Sequence, residues 1–300
     1  MSTGVLTWEN MRTALNLNTG FFETSQYTLE TQMRVIAGNW DGAGVSAGNL
    51  QYNWGPADRL TELWNHMLNN HDSVVRGVFG TDTARYDEFR TVNLTYTRAN
   101  KIAWGETITD PANEHQLLEP WKTILGDLMV TDECLSKYFS MMDAYYVPDA
   151  LDLFKQLSCT SRAALASLFD INVNRGRYYP CITLVSDFEA IDADTTLTDI
   201  QKEAEKIRMI NNRGNDVTNG MDSSASTFKP RRDCMANQGG TYFGAVYEPE
   251  DQFDINQEPA IPEKLGDFFV KLGNLDIQNI LLGTAAIQSL YLGTTLLNTG

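Results

Sequence analysis

Glu23 and Asp41 are the carboxylates whose surroundings point most directly to chemistry in this chain. They lie eighteen positions apart within residues 20–55, a segment rich in glycine and aromatic residues and poor in charge. Cleavage of a glycosidic bond requires one carboxyl group that protonates the leaving oxygen and a second that acts as base or nucleophile, both facing one cleft. The pair therefore predicts an acid/base site, with Glu23 as the acid and Asp41 as the base.

The two acids stand in different local settings. Glu23 follows Phe21 and Phe22 and precedes Tyr27, and an apolar setting of this kind disfavours the ionised form of a carboxyl group. Asp41 lies in the sequence NWDGAG, where backbone N–H groups of a glycine turn favour a carboxylate. The glycines of this turn would also allow a sugar chain to approach the backbone closely.

Polar and aromatic side chains near the two acids are candidates for binding the substrate. Aromatic rings line small-molecule sites, and a few hydroxyl and amide groups orient the ligand there. The predicted hydrogen-bonding residues are Thr24, Ser46 and Gln51, and the predicted stacking residues are Trp40, Tyr52 and Trp54. Spacing alone leaves an alternative open, in which Glu23 caps or pairs locally and Asp41 only closes a turn.

The composition excludes several classes of partner. The chain has 300 residues, with 39 acidic and 23 basic side chains and a formal net charge of −16. Such a balance argues against nucleic acid and against capture by an anionic membrane, since both require clustered Lys and Arg. The acidity fits a cationic substrate or a carrying partner, and it also fits a role in solubility alone.

No cofactor or metal is predicted. The four cysteines form no CxxC pair, and the three histidines lie outside ligand spacing, so the cysteines are expected to be reduced core residues. The N-terminus lacks the pattern of a signal peptide, and no segment has the apolar length of a membrane span. The expected place of synthesis is therefore a cytoplasm.

Helical patterns dominate the chain up to about residue 215. Apolar residues recur at helical spacing after Pro56, capping residues precede a helix over 162–176, and Ile200, Ala204, Ile207 and Ile210 define one face of another. Two more helices are expected within 118–145. Residues 33–52 are the exception, since their glycines and alternating pattern predict short strands and tight turns.

Two later segments differ from this helical body. Residues 215–238 are polar and predict a long loop, in which Arg231 and Arg232 are candidates for closing on a ligand. Residues 271–300 repeat with a period of ten, with glycine at 273, 283 and 293, which favours a β-meander with two-residue turns. The predicted domains are therefore 1–258, a hydrolase domain, and 259–300, a β-repeat module for attachment or oligomerisation.

A resemblance to a known family sharpens this interpretation. Glu-Thr-Ser at 23–25, followed by DGAGVSAGNLQYNWG at 41–55, resembles the lysozyme-like superfamily, in particular peptidoglycan hydrolases of phage virions and, more distantly, family 46 chitosanases. ALASLFDINVNRG at 164–176 is similar to a helix of these enzymes, although Asn174-Arg175 stands where the family often has Gln. The tail sequence Tyr-Leu-Gly-Thr at 291–294 resembles bacteriophage tail and fibre proteins.

The resemblance implies a mainly α (α+β) fold, with a lysozyme-like helical domain, a small β-sheet at the active site and the C-terminal β-repeat module. It implies a virion-carried peptidoglycan hydrolase that opens the cell wall, with residues 265–300 binding other virion or tail proteins or further copies of the chain. Two alternatives stay open at this point. One is a chitosanase-like glycosidase, and the other is a structural virion protein that kept the fold and lost the chemistry.

Overall fold

The computed structural model describes residues 8–175, 180–214 and 225–249. In these ranges the chain is mainly helical, with small antiparallel sheets of two strands each, so the predicted fold class is confirmed. The tail repeat and the predicted boundary at residue 259 lie outside the described residues. None of the described helices is both long enough and apolar enough to cross a membrane.

The described elements follow one another along the chain in a simple order. The helices are α1 Trp8–Thr24, α2 Leu29–Met33, α3 Arg59–Asn70, α4 Asp72–Phe79, α5 Thr83–Thr95, α6 Arg98–Ile108, α7 Trp121–Met129, α8 Asp132–Tyr145, α9 Val147–Gln156, α10 Arg162–Arg175, α11 Val185–Ala193, α12 Asp199–Gly214 and α13 Ala225–Ala236, with a 3-10 turn at Pro180–Leu184. The strands are β1 Ile36–Ala37, β2 Ser46–Ala47, β3 Thr109–Asp110, β4 Asn113–Leu117, β5 Gly240–Tyr242 and β6 Ala245–Tyr247.

The chain divides into two compact units. The first, here called the central unit, runs from Glu23 to Met141. The second, the flanking unit, is formed by the described residues before Glu23 and after Met141. The two units differ in the side chains that they bury.

A cluster of tryptophans forms the core of the central unit. The predicted apolar face of α3 is buried, and Trp64 on this face packs edge-on against Trp54, with ring centroids 5.6 Å apart. Trp104 of α6 contacts Trp54 and Trp121, at 5.9 and 5.1 Å between ring centroids. Edge-to-face packing of this kind is the favoured geometry for large aromatic rings. Helix α3 begins at Arg59, a few residues after Pro56.

The predicted short strands of residues 33–52 are confirmed. β1 pairs with β2 in antiparallel register, with Ile36 opposite Ala47 and Ala37 opposite Ser46. β3 and β4 form a second two-stranded sheet in the same unit. Sheets this small are not stable alone, so they depend on the helices around them.

The flanking unit buries a cluster of charges. The Asp170 carboxylate on α10 accepts hydrogen bonds from Arg231 and Arg232 on α13, including one of 2.9 Å from Arg231 Nε, and the three side chains are almost fully buried. Burial alone would raise the pKa of Asp170, but the two guanidinium groups outweigh it and hold this pKa below its ordinary value. Removing one member of such a cluster leaves an uncompensated buried charge, so the three groups are held together.

This cluster corrects the loop prediction for the described part of residues 215–238, since residues 215–224 lie outside the described ranges. Residues 225–236 are helical. Arg231 and Arg232 on this helix bond to Asp170, and this tertiary contact overrides the weak helix propensity of the polar local sequence. The same contact overturns the hypothesis that these arginines close on a ligand.

The helical patterns of the flanking unit are only partly reproduced. Ser161 caps α10 by accepting a hydrogen bond of 3.1 Å from the Ala164 amide, as predicted. On α12, Ile207 and Ile210 are buried, whereas Ile200 is 83% exposed. The four cysteines are buried free thiols, as predicted.

Phe21 and Phe22 contribute to an aromatic cluster of the flanking unit. Phe22 contacts Tyr242 and Tyr247 of the β5–β6 hairpin, at 5.1 and 4.8 Å between ring centroids. The Tyr247 hydroxyl donates a hydrogen bond of 2.8 Å to Asn18 Oδ1. The two phenylalanines therefore attach the hairpin to α1, a role that the local sequence did not indicate.

Asp143 makes the stability of the flanking unit depend on pH. Burial raises the pKa of Asp143 to about 6 from 3.8, and Arg12, which donates a hydrogen bond of 2.8 Å, only partly offsets this. Because the folded state binds this proton more tightly than the unfolded state, the stabilisation is complete only below the unfolded pKa of 3.8 and is lost as the pH rises through 6. We expect wild type to lose about 2 kcal/mol relative to Asp143→Asn between pH 4 and pH 7.5.

Urea unfolding of both proteins at the two pH values measures this difference. Asp187→Asn, which alters an exposed carboxylate of α11, is the control and should follow wild type. An Asp143→Asn protein with the same pH dependence as wild type would contradict the assignment.

Candidate active site

A cleft of about 380 Å³ lies on the central unit, and all of its lining residues belong to that unit. Of the eight site residues predicted from the sequence, it brings together six: Glu23, Thr24, Trp40, Asp41, Ser46 and Gln51. The other lining residues are Val35, Ala37, Asn53 and His115. The two candidate carboxylates thus face the same open space.

Glu23 and Thr24 reach the cleft from the last turn of α1. The side chain of Glu23 is half-buried. Thr24 Oγ1 accepts a hydrogen bond of 3.2 Å from the Gln26 amide, which fixes the chain as it leaves the helix. Tyr27, expected to shield Glu23, is 41% exposed. A helix end is a rigid place from which to present a carboxyl group, since the backbone bonds of the preceding turn hold it.

Asp41 reaches the cleft from the turn that joins β1 to β2. Its side chain is exposed, and its Oδ1 accepts a hydrogen bond of 2.9 Å from the Ala43 amide. This is the backbone contact that the NWDGAG sequence predicted. The bond orients the carboxylate while leaving its second oxygen directed to solvent or to a bound molecule.

Asn39 fixes this turn in place, and the sequence analysis missed it. Its Oδ1 accepts a hydrogen bond of 2.6 Å from the Gly44 amide, which closes the turn across five residues. Its Nδ2 donates to Glu106 Oε2 at 2.7 Å, and its backbone amide donates to Thr109 Oγ1 at 3.0 Å. The side chain of Asn39 therefore joins the two ends of the turn and bonds it to α6, while its backbone amide bonds the turn to β3. The available signal was the Asn placed before Asp-Gly, a common turn pattern.

Ser46 and Gln51 are polar residues that line the same cleft as the two acids. Ser46 lies on β2 and is buried, and Gln51 follows the strand with φ of 52°. Gln51 Nε2 donates a hydrogen bond of 2.6 Å to the Gly48 carbonyl, so the amide is held by the turn that carries it. Asn53, which the sequence analysis also missed, accepts a hydrogen bond of 2.9 Å from the Gly55 amide.

Tyr52 and Trp54 are buried, so the prediction that they stack on a sugar is wrong. Tyr52 is 2% exposed and stacks on Tyr138 at 4.3 Å between ring centroids, and Trp54 is fully buried in the tryptophan core. Both follow β2 at alternate positions, and the alternation of side chains along an extended chain turns both toward the interior.

Gly44 has a packing role and not the expected ligand-binding role. Its φ is +82°, and a Cβ there would lie 2.6 Å from the Trp54 ring. Gly42, with φ of +77°, has open space around its Cα instead. The turn thus needs one glycine for close contact with the core and another for its backbone conformation.

His115 enters the cleft from β4, and no local sequence signal marked it. Its ring lies against that of Trp40, with centroids 5.0 Å apart and planes inclined by 33°. Trp40 is 52% exposed. The cleft therefore carries one accessible tryptophan, held by a neighbouring ring.

The electrostatic character of the cleft follows from this set of residues. Its described lining contains two carboxylates, neutral hydroxyl and amide groups and one histidine, and it includes no arginine or lysine. Across the described part of the chain, no group of three or more His, Cys, Asp or Glu side chains is placed to hold a metal ion. The arrangement can deliver and accept protons and can hydrogen-bond a neutral or cationic ligand.

Comparisons with known proteins give only distant likenesses. No protein-family model and no curated protein sequence matches the chain. Among solved structures, a family 46 chitosanase from Gynuella sunshinyii in complex with chitotetraose has 12% identity and a TM-score of 0.49, covering 79% of this chain and 96% of that one. A native chitosanase from Bacillus subtilis MY002 has 14% identity and a TM-score of 0.49, covering 78% and 89%. At these levels the likeness carries no functional argument.

Removal of the Asn39 side chain should loosen the turn without unfolding the protein. In Asn39→Ala the Gly44 amide loses its acceptor, so we expect hydrogen exchange across residues 39–45 to accelerate by roughly tenfold or more. Hydrogen-exchange mass spectrometry of the full chain measures this. Asn70→Ala, which removes an exposed amide at the end of α3, is the matched control and should leave the turn unchanged. Equal exchange in wild type and Asn39→Ala would contradict this role.

Proposed function

We propose that the chain is a glycosidase that cleaves an amino-sugar polymer by acid/base catalysis, with Glu23 as the general acid and Asp41 as the general base. The observation that carries the proposal is that both side chains line one cleft of the central unit. They reach it from different elements, the end of α1 and the β1–β2 turn. Inverting hydrolysis requires an acid and a base that face the same cleft.

The proposed reaction consists of one displacement. Glu23 donates its proton to the glycosidic oxygen as the bond from this oxygen to the anomeric carbon breaks. A water molecule attacks the anomeric carbon from the opposite face, and Asp41 takes the proton that this water loses. Thr24, Ser46 and Gln51 would hydrogen-bond the substrate or the attacking water, since all three line the cleft.

Peptidoglycan is the substrate that we propose first, on the resemblance of residues 23–55 to virion-associated cell-wall hydrolases. Chitosan is a second candidate, and two observations favour it. The chain has a net charge of −16, and the described lining of the cleft has carboxylates without arginine or lysine. Both features attract a polymer of protonated glucosamine.

Virion attachment is the remaining part of the proposal. Its support is the period-ten repeat of residues 271–300, which would bind tail proteins or other copies of the chain, and a tethered enzyme needs no electrostatic steering to an anionic wall. Detection of the chain in density-purified phage particles would support this part, and its absence from them would contradict it.

Replacement of either carboxylate should abolish hydrolysis. We expect Glu23→Gln and Asp41→Asn to lower kcat by roughly 100-fold or more, since each loses a group that transfers a proton in the transition state. Reducing ends released from purified peptidoglycan and from chitosan measure the rates. Glu30→Gln, an exposed carboxylate of α2 outside the cleft lining, is the matched control and should retain the wild-type rate.

The same assay separates the alternatives. Equal release by wild type and Glu23→Gln would overturn the catalytic assignment. If the folded wild-type protein releases no reducing ends from either polymer, the alternative of a structural protein without catalytic activity replaces the enzyme. A preference for one polymer decides between the two substrates.

A further inference from the structure

Trp40 is an exposed tryptophan that lines the cleft. It is 52% exposed, whereas the other four tryptophans with described side chains, Trp54, Trp64, Trp104 and Trp121, are at most 7% exposed. Exposing an indole costs free energy in water, since its large apolar surface gains by burial. The core tryptophans of the central unit show that this unit can bury such rings, so the exposure of Trp40 calls for a separate explanation.

The indole is held in a defined orientation. It lies against the His115 ring, at 5.0 Å between centroids and with the planes inclined by 33°. Its backbone lies between Asn39, which is bonded to α6 and β3, and Asp41, which is bonded to the Ala43 amide. The adjacent Gly38 packs so closely on β4 that a Cβ there would lie 2.5 Å from the Glu114 carbonyl. The backbone that carries the ring is thus anchored, and the His115 contact supports the ring; such preorganisation lowers the entropic cost of binding.

We propose that Trp40, supported by His115, is a stacking platform for a pyranose ring of the substrate, in the part of the cleft next to Asp41. This inference rests on the proposed function for the kind of ligand. The open face of the indole offers apolar surface to the C–H face of a sugar, and the neutral groups of the cleft offer partners to its hydroxyls. His115 is a positioning residue, because it acts through the ring that it supports.

Direct binding tests the platform apart from catalysis. The full-length Glu23→Gln protein serves as the background, so that the probes are not consumed. The probes are tetrasaccharides of glucosamine and of N-acetylglucosamine, titrated by calorimetry. We expect an added Trp40→Ala change to weaken binding roughly tenfold. An added Tyr96→Ala change, at an exposed aromatic ring of the same unit outside the cleft lining, is the matched control and should bind as the background does.

A spectroscopic measurement locates the contact at the ring. Because Trp40 is the accessible tryptophan among the described side chains, acrylamide should quench its fluorescence, and bound tetrasaccharide should protect it. In a Trp40→Phe protein in the same background, the sugar-sensitive part of the acrylamide quenching should be absent. Continued quenching of Trp40 at saturating sugar would overturn the proposal.

Variants at His115 test its positioning role. His115→Ala removes the supporting ring and should weaken binding severalfold, while His115→Phe retains an aromatic ring and should restore the affinity. Equal loss in the two variants would overturn the positioning role, because the imidazole nitrogens, and not the ring contact, would then matter.

The outcomes for the platform and for the proposed function differ. Suppose that the wild-type protein hydrolyses neither polymer, but the tetrasaccharides bind and Trp40→Ala weakens their binding. The platform then stands and the enzyme assignment fails. If hydrolysis occurs but Trp40→Ala leaves tetrasaccharide affinity unchanged, the platform is wrong and the enzyme assignment stands. If neither tetrasaccharide binds, the platform is overturned as well.

Discussion

The turn between β1 and β2 is the constraint on which the candidate site depends. A turn that carries a functional carboxylate must be exposed, and exposed turns are ordinarily among the least ordered parts of a protein. Here Asn39 offsets this tendency, because its hydrogen bonds join the turn to Glu106 and Thr109 and close it on Gly44. The turn is thereby anchored to regular secondary structure at its base while Asp41 remains accessible.

The cores of the two units are stabilised in different ways. The central unit buries large aromatic rings beneath the cleft, so the elements around the site gain apolar contact area. The flanking unit buries the charges of Asp170, Arg231 and Arg232, which stabilise the fold only when all are present. An ionic cluster of this kind restricts the geometry of its helices more strictly than apolar packing does, since its hydrogen bonds are directional.

The chemistry that the cleft can perform follows from which groups it contains. Two carboxylates supplied by separate elements can give and take protons across a bound ligand. The described lining adds neutral hydrogen-bonding groups and one accessible indole, which together match the mixed polar and apolar surface of a sugar. The excess of acidic groups in the whole chain has the same sign as the cleft, so a neutral or cationic polymer is the class of ligand that both would accept.

The sequence by itself determined several of the helices and strands, and it identified Glu23 and Asp41 as the acids that line the cleft. The apolar spacing of α3 and the glycines of residues 33–52 are local signals, because helical periodicity and turn conformation depend on residues close in the chain. Only the tertiary structure decided which side chains reach the cleft. Tyr52 and Trp54 follow the same strand as Ser46, yet they turn inward, whereas His115 arrives from a strand more than sixty residues later. The helix at 225–236 was hidden for the same reason, because the carboxylate that orders it lies on a distant part of the chain.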